Sequence, residues 1–265
     1  MTLEGKVAIV MGASRGLGEA MALHLAQAGA AVVVAARAEK QIDPRLPGTI
    51  HSVAQTIIDA GGRAIPMRTD VRDLDSAQAC IDETIKQFGR IDIVVNNAAV
   101  RIPGDIEHTM LRHVELTWQI NIRGPIMIAK MAFPHLQAAG GGHVLNISSG
   151  AARFPGPGPY NDHEMTARGD GVLYGMSKIA LDRFTQGWAR EVAQYNIAVN
   201  SLSPRNRIRT PGNSFFGNDR ENPELEFDDP SPMGVAAAWM CQQPPAAYTG
   251  NLAFDLDVIE ANGLS

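Results

Sequence analysis

Tyr174 and Lys178 stand four positions apart in the stretch YGMSK, within a segment whose pattern predicts a helix. Side chains at that spacing leave one helical face together. A phenol beside an ammonium suits proton transfer at an oxygen. A free tyrosine, with a pKa of about 10, is a poor base at neutral pH, and a neighbouring positive charge favours its phenolate. Interconverting an alcohol and a carbonyl requires such a proton at oxygen and a hydride at carbon. The spacing alone is common in amphipathic helices, so its meaning depends on the residues around it.

A second chemical feature lies near the start of the chain. The stretch GASRGLG carries Gly12, Gly16 and Gly18, with Ser14, Arg15 and Leu17 between them, and runs into a helical pattern. Bare backbone at the positive end of a helix can approach the oxygens of a pyrophosphate, which a side chain would hold off. A strand-to-helix turn without a ligand would accept the same glycines. The second apolar run ends Ala35, Ala36, Arg37, so Ala36 stands where an acid would engage the hydroxyls of an NAD ribose. Arg37 and Arg15 are suited to gripping a 2′-phosphate, which makes NADP(H) the expected cofactor; two solvated surface arginines are the alternative.

Seven short apolar runs read as strands: Val7 to Met11, Ala31 to Ala36, Ala64 to Met67, Ile91 to Val95, His143 to Ile147, Ile197 to Leu202 and Leu252 to Leu256. Between them, Gly16 to Ala28, Ile50 to Ala60, Ser76 to Phe88, Arg112 to Ala138 and Leu173 to Gln194 read as crossover helices. Strict alternation predicts one domain over residues 1–265, a Rossmann-like doubly wound parallel sheet of about seven strands with helices on both faces. Ligands then lie at the carboxyl ends of the strands. Three stretches interrupt the rhythm: a Pro-containing insert at 38–49, a Gly- and Pro-rich insert at 150–171, and residues 204–232, read as a substrate lid or as a mobile loop.

The composition narrows the choices. Apolar residues make up 45% and charged residues 19% of 265 positions, enough to bury a sizeable core. A formal net charge of −5 without a basic stripe argues against nucleic acid or an anionic membrane as partner. Cys80 and Cys241 are far apart with no metal-ligand spacing beside them, which predicts buried thiols, a reducing compartment and no metal site. No cleavable leader or membrane-length apolar run is read in the chain, so a cytoplasmic protein is expected.

These motifs, in their order, resemble the classical short-chain dehydrogenase/reductase family. The glycine loop is similar to the family's TGxxxGxG, with Met11 in place of the usual Thr; Asn96, Asn97, Ala98 and Ala99 are similar to its NNAG; YGMSK matches its YxxxK. The resemblance covers nearly the whole chain. It implies that Asp70 and Val71 flank an adenine and that Asn97, Ala98 and Ala99 pass close to the cofactor. It also implies that Ser149, after GGHVLNIS, orients the reacting oxygen. Asn121, in TWQINIRG, would hold a water through which Lys178 exchanges its proton. Tyr174 would then be the general acid/base, and a small carbonyl or alcohol the substrate. A homodimer or homotetramer is implied as well, because the family commonly packs its fifth and sixth helices between subunits.

The chain departs from the family at two further places. Ser149 and Tyr174 are more widely separated than usual, which makes Tyr160 a rival; Glu164 four residues beyond would raise that phenol's pKa, so Tyr174 keeps the role. The added residues, Arg153, Phe154 and Tyr160 among them, together with His163 and Arg168, are candidates for lining the substrate entrance, or a surface insertion without contacts. After the sixth strand the usual Pro-Gly is Pro204 followed by Arg205, with Thr210 as the nicotinamide contact implied by the family. The Pro-containing insert at 38–49 with its LPGTI stretch, together with this turn, resembles a hydroxysteroid-dehydrogenase-like branch, without making the substrate a steroid. A non-catalytic nucleotide sensor on the same fold is the alternative, although it would have no need of Asn121, Ser149, Tyr174 and Lys178 together. Sugar-nucleotide epimerases and dehydratases also carry YxxxK, but with longer chains and differently spaced glycines.

Overall fold

A computed structural model describes residues 2–102, 104–154, 156–159, 171–212 and 227–264. Seven parallel strands form one sheet in the order β3-β2-β1-β4-β5-β6-β7: β1 Val7–Met11, β2 Ala31–Ala36, β3 Arg63–Arg68, β4 Ile93–Asn96, β5 Gly142–Ile147, β6 Ile197–Ser203 and β7 Leu252–Phe254. Strands β1, β2, β4, β5 and β6 are buried at every position, as expected of strands covered on both faces. The period of two then divides each apolar run between two cores. Ala8, Val10, Val32 and Val34 face one side, while Ile9, Met11, Val33 and Ala35 face the other.

The first core is closed by α1 (Gly16–Gln27), α2 (Ile50–Asp59) and a helix at Ser231–Gln242; the second by α3 (Leu74–Phe88), α5 (Gly124–Ala138) and α6 (Val172–Val192). Helix α4 (Leu111–Trp118) leads into α5, the Ser231–Gln242 helix is α7, and α8 (Asp255–Asn262) follows β7. The strand order reverses between the parallel neighbours β1 and β4: from β1 the chain adds strands toward one edge and from β4 toward the other, which opens a crevice at their carboxyl ends. Both cysteines are buried and free.

Four expected elements are revised. The long helix expected over Arg112 to Ala138 is broken into α4 and α5 by a π-turn at Gln119–Arg123. The strand expected to Leu256 ends at Phe254, because Asp255 begins α8 and its carboxylate takes the amides of Leu256 and Arg205. Residues expected to be irregular up to 232 include the start of α7, which Pro232 opens at the first turn, where its missing N–H costs nothing. Helix α3 starts two residues before the expected Ser76, since Asp73 caps it through the amides of Asp75 and Ser76.

Candidate active site

The glycine loop sits at the crevice. Gly12 has a φ of +80° and its Cα faces the backbone of Ala98, where a Cβ would come within 2.9 Å. A Cβ on Gly18 would overlap the Gly12 carbonyl. Arg15, at the N-cap of α1, makes no side-chain bond to the helix's first amides, although the Glu19 carboxylate accepts from that of Gly16. The helix start and the packed glycines make a cradle that fits the pyrophosphate of a dinucleotide. In place of the hydroxyl lost at Met11, Asn97 braces the loop by donating to the carbonyls of Gly12 at 2.9 Å and Met11 at 3.3 Å. The loop is also tied to β2 through Gly12 N–H and Ala13 N–H on the Ala35 carbonyl.

Arg37 follows β2 and is exposed. Arg15 donates to the Gly48 carbonyl at 3.0 Å, so the insert at 38–49 folds back over the glycine loop and fixes that guanidinium. Burial, and after it the charge of Arg37, lower the pKa of Arg15; Glu19 offsets this in part. The two cations therefore share one neighbourhood and repel each other. Asp70 lies within the field of Arg37 but is clamped by Arg72 at 2.6 Å, which holds its carboxyl below the usual range. Val71 is buried in the core against Gly124.

Tyr174 and Lys178 lie on α6, as the spacing predicts, and α6 packs against β6 and against the turn after β5. Lys178 is buried, donates to the Ile147 carbonyl at 2.7 Å and holds its Nζ 5.6 Å from the centre of the Tyr174 ring. Burial pulls its pKa down to about 8, while Asp182 pulls the other way. Ser149 caps the short 3-10 turn Gly150–Ala152, its Oγ accepting from the Ala151 amide at 3.2 Å. Helix α6 reaches that turn because residue 175 is glycine; a Cβ there would come 2.9 Å from the Ala151 carbonyl.

Asn121 sits in the π-turn, where the widened helical ring turns its side chain inward. Its Oδ1 accepts from Val100 N–H at 2.8 Å, and its Nδ2 donates to the Val100 carbonyl at 2.9 Å and to Ser177 Oγ at 3.0 Å. Ser177 in turn donates to the Tyr174 carbonyl at 2.7 Å. Asn121 thus joins the loop after β4 to the helix that carries the tyrosine. A second buried chain runs from Asn96 through Asn146 to Thr185, seating α6 on β4 and β5. Sequence reasoning missed Gly175, Ser177, Asn146, Thr185, Asp182 and Ser201. Only Gly175, inside YGMSK, carried a readable signal, since glycine within a helix implies close approach.

Other expected residues fall farther out. Arg153 lies over the Phe254 ring at 4.5 Å, on the β7 side of the crevice, and Phe154 is 79% exposed. Tyr160, His163, Glu164 and Arg168 lie outside the described residues. Pro204 is half-buried at the end of β6. Arg205 turns away from the crevice to Asp257 at 2.8 Å and to Glu260 on α8, which explains an arginine where the family has glycine. Thr210 packs against the glycine loop: a Cβ on Gly16 would lie 3.1 Å from its methyl group. Beyond Arg205 the chain forms a stem in which Ile208 bridges Asp228, Arg209 N–H donates to the Asp228 carbonyl and Asp228 N–H to that of Arg207. No group of metal-ligating residues occurs among the described residues, and no helix there is long and apolar enough to cross a membrane.

Comparison with known proteins gives a consistent picture. The sequence model of a family described as short chain dehydrogenase matches residues 6–215. Hydroxysteroid dehydrogenase-like protein 2 of Danio rerio is 33% identical over 99% of the chain, and its human counterpart is 33% identical over the same share. The chain spans 60% of the length of the former and 59% of the latter. Among solved structures, a short chain dehydrogenase from Mycobacterium thermoresistibile superposes with a TM-score of 0.83 at 32% identity, covering 99% of this chain and 89% of that one. A dehydrogenase/reductase from Sinorhizobium meliloti 1021 gives 0.76 at 30% identity, covering 96% and 94%.

Proposed function

Since the chain belongs to the short chain dehydrogenase family, in its hydroxysteroid dehydrogenase-like branch, and is an oxidoreductase, we propose that it interconverts a carbonyl and a secondary alcohol with NADP(H). The observation that carries this reading is a buried ammonium, Lys178, held under the Tyr174 ring at the mouth of the crevice. A fully buried cation is costly unless its charge is used or compensated.

When bound, the nicotinamide cofactor would supply or take up the hydride; the protein's part is to place and protonate the oxygen. Gly12, Gly16 and Gly18 would hold the pyrophosphate, and Arg15 with Arg37 a 2′-phosphate. In reduction Tyr174 Oη donates its proton to the carbonyl oxygen as the bond to carbon forms. In oxidation the same oxygen takes the hydroxyl proton. The charge of Lys178 favours the phenolate, and Ser149 Oγ hydrogen-bonds the reacting oxygen. Asn121 ties the Val100 loop to α6, the helix that carries Tyr174 and Lys178. If the protein draws on a largely reduced cytoplasmic NADP pool, reduction is the favoured direction.

The test is a panel of ketones and aldehydes incubated with NADPH while loss of the reduced cofactor is followed. Tyr174→Phe is expected to abolish turnover and retain NADPH binding. A protein that binds NADPH, turns over no carbonyl in a broad panel and behaves identically as Tyr174→Phe would instead be a nucleotide sensor. We further propose a homodimer or homotetramer. A groove of about 540 Å³ lies beside α4, and a second, of about 350 Å³ between α5 and α6, is lined by Ile126, Phe133, Phe184, Trp188 and Tyr195. We would seat the partner copy on the second groove, which Lys130 and Glu191 also line.

A further inference from the structure

Among the described residues Lys178 has no carboxylate hydrogen-bond partner: its Nζ donates to the Ile147 carbonyl, a neutral group. A neutral acceptor offsets only part of the cost of burying an ammonium. One turn farther along α6, on the same face, stands Asp182, itself largely shielded from water. Its Oδ1 accepts from Ser201 Oγ at 2.7 Å, and Ser201 is a buried residue of β6 paired with Asn146 of β5. The serine therefore ties the carboxylate to the sheet, one helical turn along α6 from the lysine. The buried Ser148 hydroxyl also faces Asp182, without closing a hydrogen bond of ordinary geometry.

We infer that Asp182, held by Ser201, is the counter-charge that keeps the Lys178 ammonium protonated inside the protein, and so a positioning residue for the Tyr174–Lys178 pair. It touches neither substrate nor cofactor and acts through the lysine. This inference rests on the proposed role of Lys178, although the pairing itself can be measured without turnover.

The surrounding charges favour this assignment. Toward Lys178, α6 presents Tyr174 and Asp182, and β5 presents only a carbonyl. Toward Asp182 come Lys178 from α6 and the hydroxyls of Ser201 and Ser148. Among the described residues no other charged group acts on either side chain. Each group is pushed toward its neutral form by burial and back toward its charged form by the other. Removing one charge therefore leaves the other uncompensated, and the lysine then releases its proton at lower pH.

The test labels lysine side chains with ¹³C at Cε in the full-length chain, identifies the Lys178 resonance by its loss in Lys178→Arg, and follows it through a pH titration. Asp182→Asn keeps the shape and is expected to lower the Lys178 midpoint by about one pH unit or more. Ser201→Ala, which keeps the carboxylate but frees it, is expected to shift the midpoint the same way by less, and Asp182→Glu to recover part of the wild-type value. If Asp182→Asn does not fold, Ser201→Ala carries the comparison. In turnover of an NADPH-dependent carbonyl reduction, the rate of Asp182→Asn relative to wild type should fall as pH rises through the lowered lysine midpoint. A midpoint unchanged in both variants overturns the inference, including where activity is lost. A shifted midpoint in a protein that reduces no carbonyl upholds the pairing and defeats the enzymatic reading alone.

Discussion

Arg37→Ala should separate the two nicotinamide cofactors. Arg37 is exposed at the end of β2, and Arg15 is partly buried and tied to the Gly48 carbonyl; their charges repel across one shared space. Neither Asp70 nor Ala36 offers that space an available acid, because Arg72 occupies the Asp70 carboxylate. A phosphate placed there would relieve the repulsion and accept charge-assisted hydrogen bonds, each worth roughly 1.5 to 3 kcal/mol. Exposure puts Arg37 at the lower end, so its loss should weaken NADPH binding about tenfold. NADH lacks the phosphate, and its affinity should change by no more than about twofold, the size of an ordinary surface substitution. Arg15→Ala should cost more, since it also releases the insert from the glycine loop. The assay is a fluorescence titration of each reduced cofactor at two ionic strengths; only the NADPH difference should shrink with salt. Equal losses for the two cofactors, or a difference indifferent to salt, would refute the reasoning.

Two further outcomes follow from packing and burial. Gly18→Ala places a methyl group against the Gly12 carbonyl and Asn97, both part of the loop's own bracing. It should cost about 1 to 3 kcal/mol of stability and most cofactor affinity, read by thermal denaturation with and without NADPH. An unchanged Tm would show that the loop yields. His143 on β5 is buried, and burial, reinforced by Lys6, depresses its pKa to about 4. The folded state thus favours the neutral ring, a contribution present above the unfolded value and lost as pH falls from about 6.5 to about 4. Denaturant titrations should show wild type losing up to about 3 kcal/mol relative to His143→Gln over that window, and parallel curves would exclude it.

The sheet was legible because each strand run is apolar enough to be buried on both faces, and strict alternation with helices leaves few topologies. Even Pro66 fits, since β3 lies at the sheet edge. The pair on α6 was legible because its meaning lies within one helical turn. The π-turn was not anticipated, although Pro125 gave the signal: without an N–H it cannot bond the Asn121 carbonyl four residues earlier. Asp182 and Ser201 escaped notice for a different reason. Their contact joins positions on separate elements, and neither residue type is unusual where it stands. Arg205 read as a lost glycine in the crevice, whereas its partners are on α8, a helix that the apolar run to Leu256 had concealed.

The stem at Arg207 to Arg209 and Asp228 also bears on how the protein changes over generations. Because the chain leaves and returns at one bridge, the cost of bringing its ends together is met outside whatever sequence lies between Gly212 and Phe227. Doubling that sequence would add only about 0.6 kcal/mol of closure entropy. Insertions and exchanges there are thus nearly free of consequence for the sheet, and selection can vary that sequence as an interchangeable cassette while Tyr174 and Lys178 stay where they are.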